Sequence, residues 1–296
     1  MNDPRRTALV VGYQVMRVEM NLTSTERIKP AGVIAAGGVL DRIVDAKLRR
    51  ISEAKLSSRF SPDTRTERRS LQSFRQALSR TGKTNIVAEI KHRSPSRGVI
   101  RDDFDPVAIA GSYAAGGAAA LSVLTEEDFF GGSLDHLRAV RDSISLPLLR
   151  KDFIFDEWQL AESADAGADA VLLIAAILDE RLLAALISEA TRLGLGALVE
   201  VHTKDEMLRA IGAGAQIIGV NNRDLTTFAV SLKTSFELAP LAPPGALLVS
   251  ESGISTGEDI RQLKAAGFQA FLVGEHLMRA DDPGDALRRL IHAADG

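Results

Sequence analysis

The sequence predicts an α/β protein: a closed (β/α)8 barrel with amino-terminal helices that cap it. Three observations carry this reading. Eight short apolar runs recur along the chain, at 86–90, 119–124, 147–149, 170–174, 197–201, 217–220, 246–249 and 270–273. They are continuous, without polar alternation, as strands buried on both faces of a parallel sheet are. Segments with helical patterning separate them, and several of these stop at a glycine that suits a left-handed cap, at Gly167, Gly214 and Gly267. Strand and helix repeating in this way make parallel βα units, and eight units close a barrel. The rival, an open doubly wound sheet that binds a dinucleotide, calls for Gly-x-Gly-x-x-Gly after the first strand. Here Lys91-His92-Arg93-Ser94-Pro95 follows instead.

The elements follow in order. Residues 1–37 have neither a sustained helical period nor strand alternation, and Gly32, Gly37 and Gly38 punctuate their end. This stretch reads as an amino-terminal extension, a candidate mobile segment, and 38–296 as one catalytic domain. Leu40, Ile43, Val44, Ala46 and Leu48 recur at helical spacing among charges, which predicts an amphipathic helix over 40–56. A basic, polar segment follows over 57–70, then a second helix over 71–78. Later helices are expected at 106–115, 134–142, 157–166, 180–193, 204–211, 256–266 and 286–292.

Composition removes several classes of function. A hydrophobic content of 45% supports a sizeable core, and a formal net charge of −3 argues against a general electrostatic grip on nucleic acid or an anionic membrane. There is no cysteine, which excludes disulfides, thiolate metal sites and a cysteine nucleophile. No apolar run is long enough to span a bilayer. Arg5-Arg6 ahead of Ala8-Leu9-Val10-Val11 superficially resembles a twin-arginine export signal, but Gln14 and Arg17 interrupt the apolar stretch. A cytoplasmic location is expected.

The chemistry lies where the strands end. The carboxyl ends of barrel strands form the active face, and here they carry Glu89 and Lys91, Thr125 and Glu126, Lys151 and Asp152, Glu200, Asn221 and Arg223, and Glu251 and Ser252. A strand that exists only for packing does not end its buried run in a charge, because an unpaired buried charge is costly. Five of the eight ends finish in Glu, Lys or Asn, which reads as a polar catalytic mouth. After the last two strands come Ser252-Gly253 and Gly274-Glu275. Barrels bind phosphate on the backbone amides of these two loops, and glycine permits the close approach.

These residues resemble the indole-3-glycerol-phosphate synthase family of tryptophan biosynthesis, from about Val39 to Ala293. The matching motifs are AEIKHRSPSRG (88–98), SVLT (122–125) with FFGGS (129–133), LRKDF (149–153), LVEVH (198–202), IGVNNRDL (218–225), VSESGI (249–254) and FLVGE (271–275). Each alone is moderately specific, but seven in order at successive strand ends are highly specific. Arg93, where a small residue is expected, and Arg97, where lysine is common, depart from the pattern.

The resemblance implies a carboxy-lyase that acts on 1-(2-carboxyphenylamino)-1-deoxyribulose 5-phosphate with no cofactor and no metal. The aromatic carbon that bears the carboxylate bonds to the ketone carbon, then CO2 and water leave. It implies Lys151 as the acid for ring closure, a role that suits a lysine whose pKa neighbouring cations or desolvation have lowered. Lys91, Glu89 and Glu200 become the candidates for the later proton transfers. Asn221, Arg223, Glu251, Ser94 and Phe129 would bind substrate, with Phe153, Leu172 and Leu225 also candidates for the aromatic slot. Lys91, Ser94, Ser252, Gly253, Gly274 and the backbone of Glu275 would face the phosphate. His92, His136, His202, His276 and His292 read as non-catalytic. The partner expected is a small phosphorylated molecule, with no nucleic acid and no membrane. The assembly expected is a monomer or weak homodimer, with association with other tryptophan-pathway enzymes as a further expectation. Two competing readings are a phosphoribosyl isomerase, whose chemistry leans on an Asp or Cys pair, and a degenerate ligand-binding barrel, which should have lost some charged strand ends.

Overall fold

The computed structural model describes residues 29–57, 72–95 and 97–296. Most of the expected extension, and the basic segment over 58–70, lie outside the described residues. The eight apolar runs form strands β1 (Asn85–Ile90), β2 (Ala120–Leu124), β3 (Leu148–Lys151), β4 (Ala170–Ile174), β5 (Gly196–Val201), β6 (Ile217–Asn221), β7 (Leu247–Glu251) and β8 (Ala270–Val273). All neighbours pair in parallel, and β8 returns to β1, which closes the barrel. Closure leaves no sheet edge exposed. The strands are almost wholly buried, as their unalternating sequences require.

The helices are α1 (Gly38–Ser57), α2 (Gln72–Leu78), α3 (Pro106–Gly116), α4 (Leu134–Ser143), α5 (Glu157–Asp165), α6 (Glu180–Arg192), α7 (Lys204–Gly212), α8 (Lys233–Leu238), α9 (Gly257–Ala265), α10 (Glu275–Met278) and α11 (Pro283–Asp295). Asp105, Ser133, Asp156, Asp179, Thr203, Thr256 and Asp282 each precede a helix, and each accepts a backbone N–H from its first turn. Each such cap is worth about 1 kcal/mol, so the chain is told where to turn after each loop.

Two stretches stand out among the short elements that the pattern did not give. The first loop holds a small antiparallel hairpin that pairs Arg93–Ser94 with Gly98–Val99. Between β6 and β7 the chain makes the short helix α8 and a 3-10 turn over Ala239–Leu241. Both are too short to leave a readable period.

The amino-terminal cap is attached at two places. Ahead of α1, Val33 bridges Leu178, and Gly32 O accepts from Asp179 N at 2.8 Å. The chain is therefore tied to the loop after β4 before residue 38 is reached. Helix α1 buries Leu40, Ile43, Val44 and Ile51. It also buries Lys47, whose Nζ lies 2.9 Å from Asp152 Oδ1 and 3.1 Å from Glu127 Oε2. Asp152 is the residue after β3, so the cap grips the catalytic end of the barrel.

Candidate active site

The strand ends converge on one cavity of about 430 Å³. Its floor is charged. Glu89, Lys91, Lys151, Glu200, Asn221 and Glu251 all line it. Alternation along β3 explains the aim of Lys151: it points inward, while Arg150 and Asp152 on either side pack outward against each other at 2.9 Å. Thr125 donates to Asp152 at 2.7 Å, and Arg150 donates to Ser163 at 3.0 Å. This buried layer anchors both neighbours of Lys151. Lys47 and Arg150 hold Asp152 well below the usual carboxylate range, against the opposing effect of burial.

The inward charges form two groups. Lys91 Nζ lies 2.5 Å from Glu89 Oε1. Lys151 Nζ lies 3.0 Å from Glu200 Oε2 and 3.5 Å from Glu251 Oε2. Burial opposes the charge on Lys151, but Glu200, Glu251 and Glu89 more than offset it and push its pKa up. This reverses the lowered pKa that the sequence reading attached to an acidic lysine: three carboxyl groups face Lys151 and outweigh its burial. Burial pushes Glu200 up, yet Lys151 and His202 pull it well below the usual range. Glu251 goes the other way. It is 1% exposed, accepts no hydrogen bond among the described residues, and its pKa rises to about 8 through burial and the charge of Glu200, with Lys151 opposing. At neutral pH the floor therefore carries a neutral acid beside a paired ammonium and carboxylate.

Two glycines make room for these carboxylates. A Cβ on Gly219 would lie 2.0 Å from Glu251 Oε1, and one on Gly274 would lie 2.4 Å from Glu89 Oε1. Gly274, expected in the phosphate loop, thus has a second reason to be glycine. Ser252 adopts φ 65° and Gly253 φ 80°. A serine in the left-handed region costs about 1 kcal/mol or more, and that turn holds Ser252 and Gly253 in the cavity wall.

The rim is basic. Glu275 Oε1 meets Arg97 Nε at 3.3 Å and Arg279 Nε at 3.2 Å, while its Oε2 lies 3.2 Å from an amino nitrogen of Arg223. One carboxylate thus gathers three guanidiniums beside Ser94, Ser252, Gly253 and Gly274, all in the cavity wall. Asn221 Oδ1 accepts from Arg223 N at 3.0 Å, which fixes the loop after β6. Of the two departures in the first loop, Arg97 joins this rim. Arg93 instead donates to the backbone oxygen of Asp128 and ties the first loop to the second.

The expected residues do not all meet. Phe153, Leu172 and Leu225 line the cavity, as expected for an aromatic slot, but Phe130 does so in place of Phe129. The cause is Glu126. Its carboxylate accepts the backbone N–H groups of Asp128, Phe129 and Phe130 at 3.1, 2.8 and 3.0 Å, and this tight loop turns the second phenylalanine inward. Thr125 and Glu126 accordingly serve the frame and do not line the cavity. Sequence reasoning missed the wall supplied by Val39, Leu40 and Ile43 of the cap helix; their apolar face was legible, but its target was not. His92 and His136 both pack tilted against Phe104, outside the cavity wall. His202 lies beside Glu200, and His276 reaches the rim.

Fold and site together define a (β/α)8-barrel enzyme with a charged floor, an apolar wall and a basic rim. Comparison with known proteins narrows this class. The family model "Indole-3-glycerol phosphate synthase" matches residues 40–290. A protein of that description from Carboxydothermus hydrogenoformans is 47% identical over 261 residues, covering 85% of this chain and 99% of the relative. One from Sulfurimonas denitrificans is 52% identical over 205 residues, 69% of this chain and 78% of the relative. One from Chromobacterium violaceum is 45% identical, over 86% of this chain and 98% of the relative. Among solved structures, a 3-hexulose-6-phosphate synthase superposes with TM-score 0.57 at 18% identity, covering 71% of this chain and 99% of that one. That likeness speaks to fold alone. The chain belongs to the indole-3-glycerol phosphate synthase family.

Proposed function

We propose that this chain closes the indole ring of 1-(2-carboxyphenylamino)-1-deoxyribulose 5-phosphate and releases CO2 and water to give indole-3-glycerol phosphate, in the cytoplasm. The observation that carries the reading is Lys151, an ammonium clamped between Glu200 and Glu251 on the floor of a cavity that is apolar on one side and arginine-rich at its rim. The rim accounts for the phosphate: Arg97, Arg223 and Arg279 exceed the charge of Glu275, and the backbone amides of Gly253, Gly274 and Glu275 add donors without charge. The apolar wall of Phe130, Phe153, Leu172 and Leu225 accounts for the aryl ring.

Ring closure turns the ketone oxygen into an alkoxide. Lys151 donates to it. A firmly held ammonium is a weak acid in the empty site, but the alkoxide is a stronger base still, so the proton moves as the carbon–carbon bond forms. The cation also stabilises the oxyanion before transfer is complete. Loss of CO2 then restores electrons to the ring. Dehydration requires removal of a ring proton and protonation of the departing hydroxyl. Glu200, held ionised, suits the base; Lys91, paired with Glu89, suits the acid and also offers a cation to the substrate carboxylate. Asn221 and neutral Glu251 supply hydrogen bonds to substrate hydroxyls. The isomerase alternative finds no support here, since an Asp or Cys acid–base pair is missing from the cavity lining among the described residues. A degenerate barrel finds none either, because Glu89, Lys91, Lys151, Glu200, Asn221 and Glu251 all remain at the floor.

The test is a fluorescence assay for indole formation with the purified chain, the carboxyphenylamino-deoxyribulose phosphate and no added cofactor. Product emission that disappears in Lys151→Ala supports both the reaction and the acid. A folded protein that gives no emission would refute the reading.

A further inference from the structure

His202 reads as non-catalytic from the sequence, and it stands one residue past the end of the strand that carries Glu200. The structure gives it a different environment. Its ring lies between two carboxylates, with Nδ1 3.0 Å from Glu206 Oε2 and Nε2 3.4 Å from Glu200 Oε1. Nε2 is buried and has no hydrogen-bond partner among the described residues. Glu206 cannot easily turn away. Its Oε2 also accepts the backbone N–H of His202 at 2.8 Å, and its Oε1 accepts from Thr203 Oγ1 at 3.2 Å, at the capped start of α7. Glu200 meanwhile uses its other oxygen, Oε2, for Lys151. The carboxylate is thus addressed on one oxygen by the acid of the reaction and faced on the other by an imidazole aimed from behind.

We propose that His202 is the positioning residue of Glu200: as an imidazolium tethered to Glu206, it donates from Nε2 to Glu200 Oε1 and fixes the carboxylate for proton abstraction in the loaded site. This rests on the base role given to Glu200 above. The remaining few tenths of an ångström close when substrate orders the site, as hydrogen bonds at catalytic groups do. The tautomer argument sets the protonation state. Glu206 Oε2 accepts a hydrogen bond from Nδ1–H, so a neutral ring would turn its Nε2 lone pair toward the Glu200 carboxylate, and the contact would repel. Only the doubly protonated ring satisfies both sides.

The surroundings agree. Glu200 on the same strand, Glu206 on α7 and Asp224 in the loop after β6 act on this ring as anions, Glu251 on β7 faces it as well, and Lys151 stands beyond Glu200. Lys204 and Asp205 on the first turn of α7 are exposed. Burial alone would lower the pKa of His202, but Glu206 and Glu200 outweigh it and raise the value above that of a free histidine. The imidazolium therefore persists to higher pH than that of a free histidine and is lost as pH rises through that raised value, and turnover falls with it.

Two variants separate positioning from packing. His202→Leu removes the donor. Its kcat should fall about ten- to a hundredfold, the worth of one hydrogen bond to a charged group, with KM little changed. His202→Gln keeps a donor near Nε2 but cannot titrate, so it should retain most of the kcat while the alkaline fall of the wild-type profile disappears. Unchanged kcat and pH profile in His202→Leu would overturn the proposal. So would an equal loss in both variants that tracks a lowered thermal midpoint. A second readout needs no turnover: an NMR titration of the ring, in which Glu200→Gln should lower the His202 midpoint. An unchanged midpoint would overturn the pairing. A lowered midpoint in a chain that makes no indole would uphold the pairing and refute only the proposed reaction.

Discussion

Replacing Gly219 by alanine would test whether the position of Glu251, and not merely its presence, matters. Gly219 lies within β6, and an added Cβ would come 2.0 Å from Glu251 Oε1, 3.2 Å from its carboxyl carbon and 3.2 Å from Leu198 Cδ1. Ordinary contact begins at 3.4 Å, so the oxygen must retreat by about 1.4 Å. Leu198 blocks one side, and the open direction is toward the cavity, where Lys151 waits at 3.5 Å. In an unhindered strand the change from glycine would stabilise the chain by roughly 0.5–1 kcal/mol. Here overpacking costs about 1–3 kcal/mol, so the net effect is a lower thermal midpoint. Displacement by about 1 Å of a group that orders the reacting atoms costs on the order of a hundredfold in turnover. Indole fluorescence under saturating substrate reads kcat, and a melt read by circular dichroism gives the midpoint. Shortening Glu251 as well should restore much of the stability, because Gly219→Ala with Glu251→Ala removes the collision and the two changes are coupled. Unchanged kcat together with a raised midpoint in Gly219→Ala would refute the reasoning.

Other outcomes follow from the same floor. Lys151→Ala and Glu200→Gln should each lower kcat by about a hundredfold or more while the circular dichroism spectrum persists; normal turnover in either would remove that residue from the chemistry. Glu251 has a folded pKa near 8, above its unfolded value. Folding therefore takes up a proton between about pH 5 and 8, and this group's contribution falls as pH rises through that window, by at most about 1.4 kcal/mol per pH unit. Urea titrations should find that Glu251→Gln flattens the slope there; an identical slope would refute the assignment. Asp152 is shifted down, so its contribution is present at neutral pH and lost in acid. Lys47→Met removes its partner on α1 and should destabilise the chain by about 3–5 kcal/mol; urea unfolding that matches the wild type would show that the cap is not held there.

Much of the barrel was legible because its strands are short, apolar and unalternating, and because a glycine closes several of the helices between them, at Gly167, Gly214 and Gly267. Helix α8 was not, since six residues carry less than two turns of pattern. The inward lysines and glutamates were legible for the same reason as the strands: a charge that ends a buried run has few places to go. What those charges do to one another was not. The acidity of Lys151 depends on three carboxylates from three other strands, and no linear spacing encodes their distance. The surroundings of His202 were hidden for a related reason. Alternation is valid only while the chain stays extended, and beyond Val201 it turns into the cap of α7. The signal that could have found it is Thr203 followed by Glu206, a capping pattern that brings a carboxylate back onto His202. Phe129 was preferred to Phe130 because adjacent aromatics are indistinguishable until Glu126 fixes the loop.

The grip of Lys47 on Asp152 has a consequence for anyone who recombines such barrels. The fold invites division into eight interchangeable strand–helix modules, or into two halves joined at a seam. In this chain Lys151 of the third module is flanked by Asp152, an anion with one counter-charge from Arg150 on the same strand and another from Lys47 on a helix that precedes the first module. Grafting the third module elsewhere, or trimming the chain to the bare barrel, would import a buried anion with only one of its two cations. A transplantable unit for this strand therefore includes α1, a piece that lies outside the repeat.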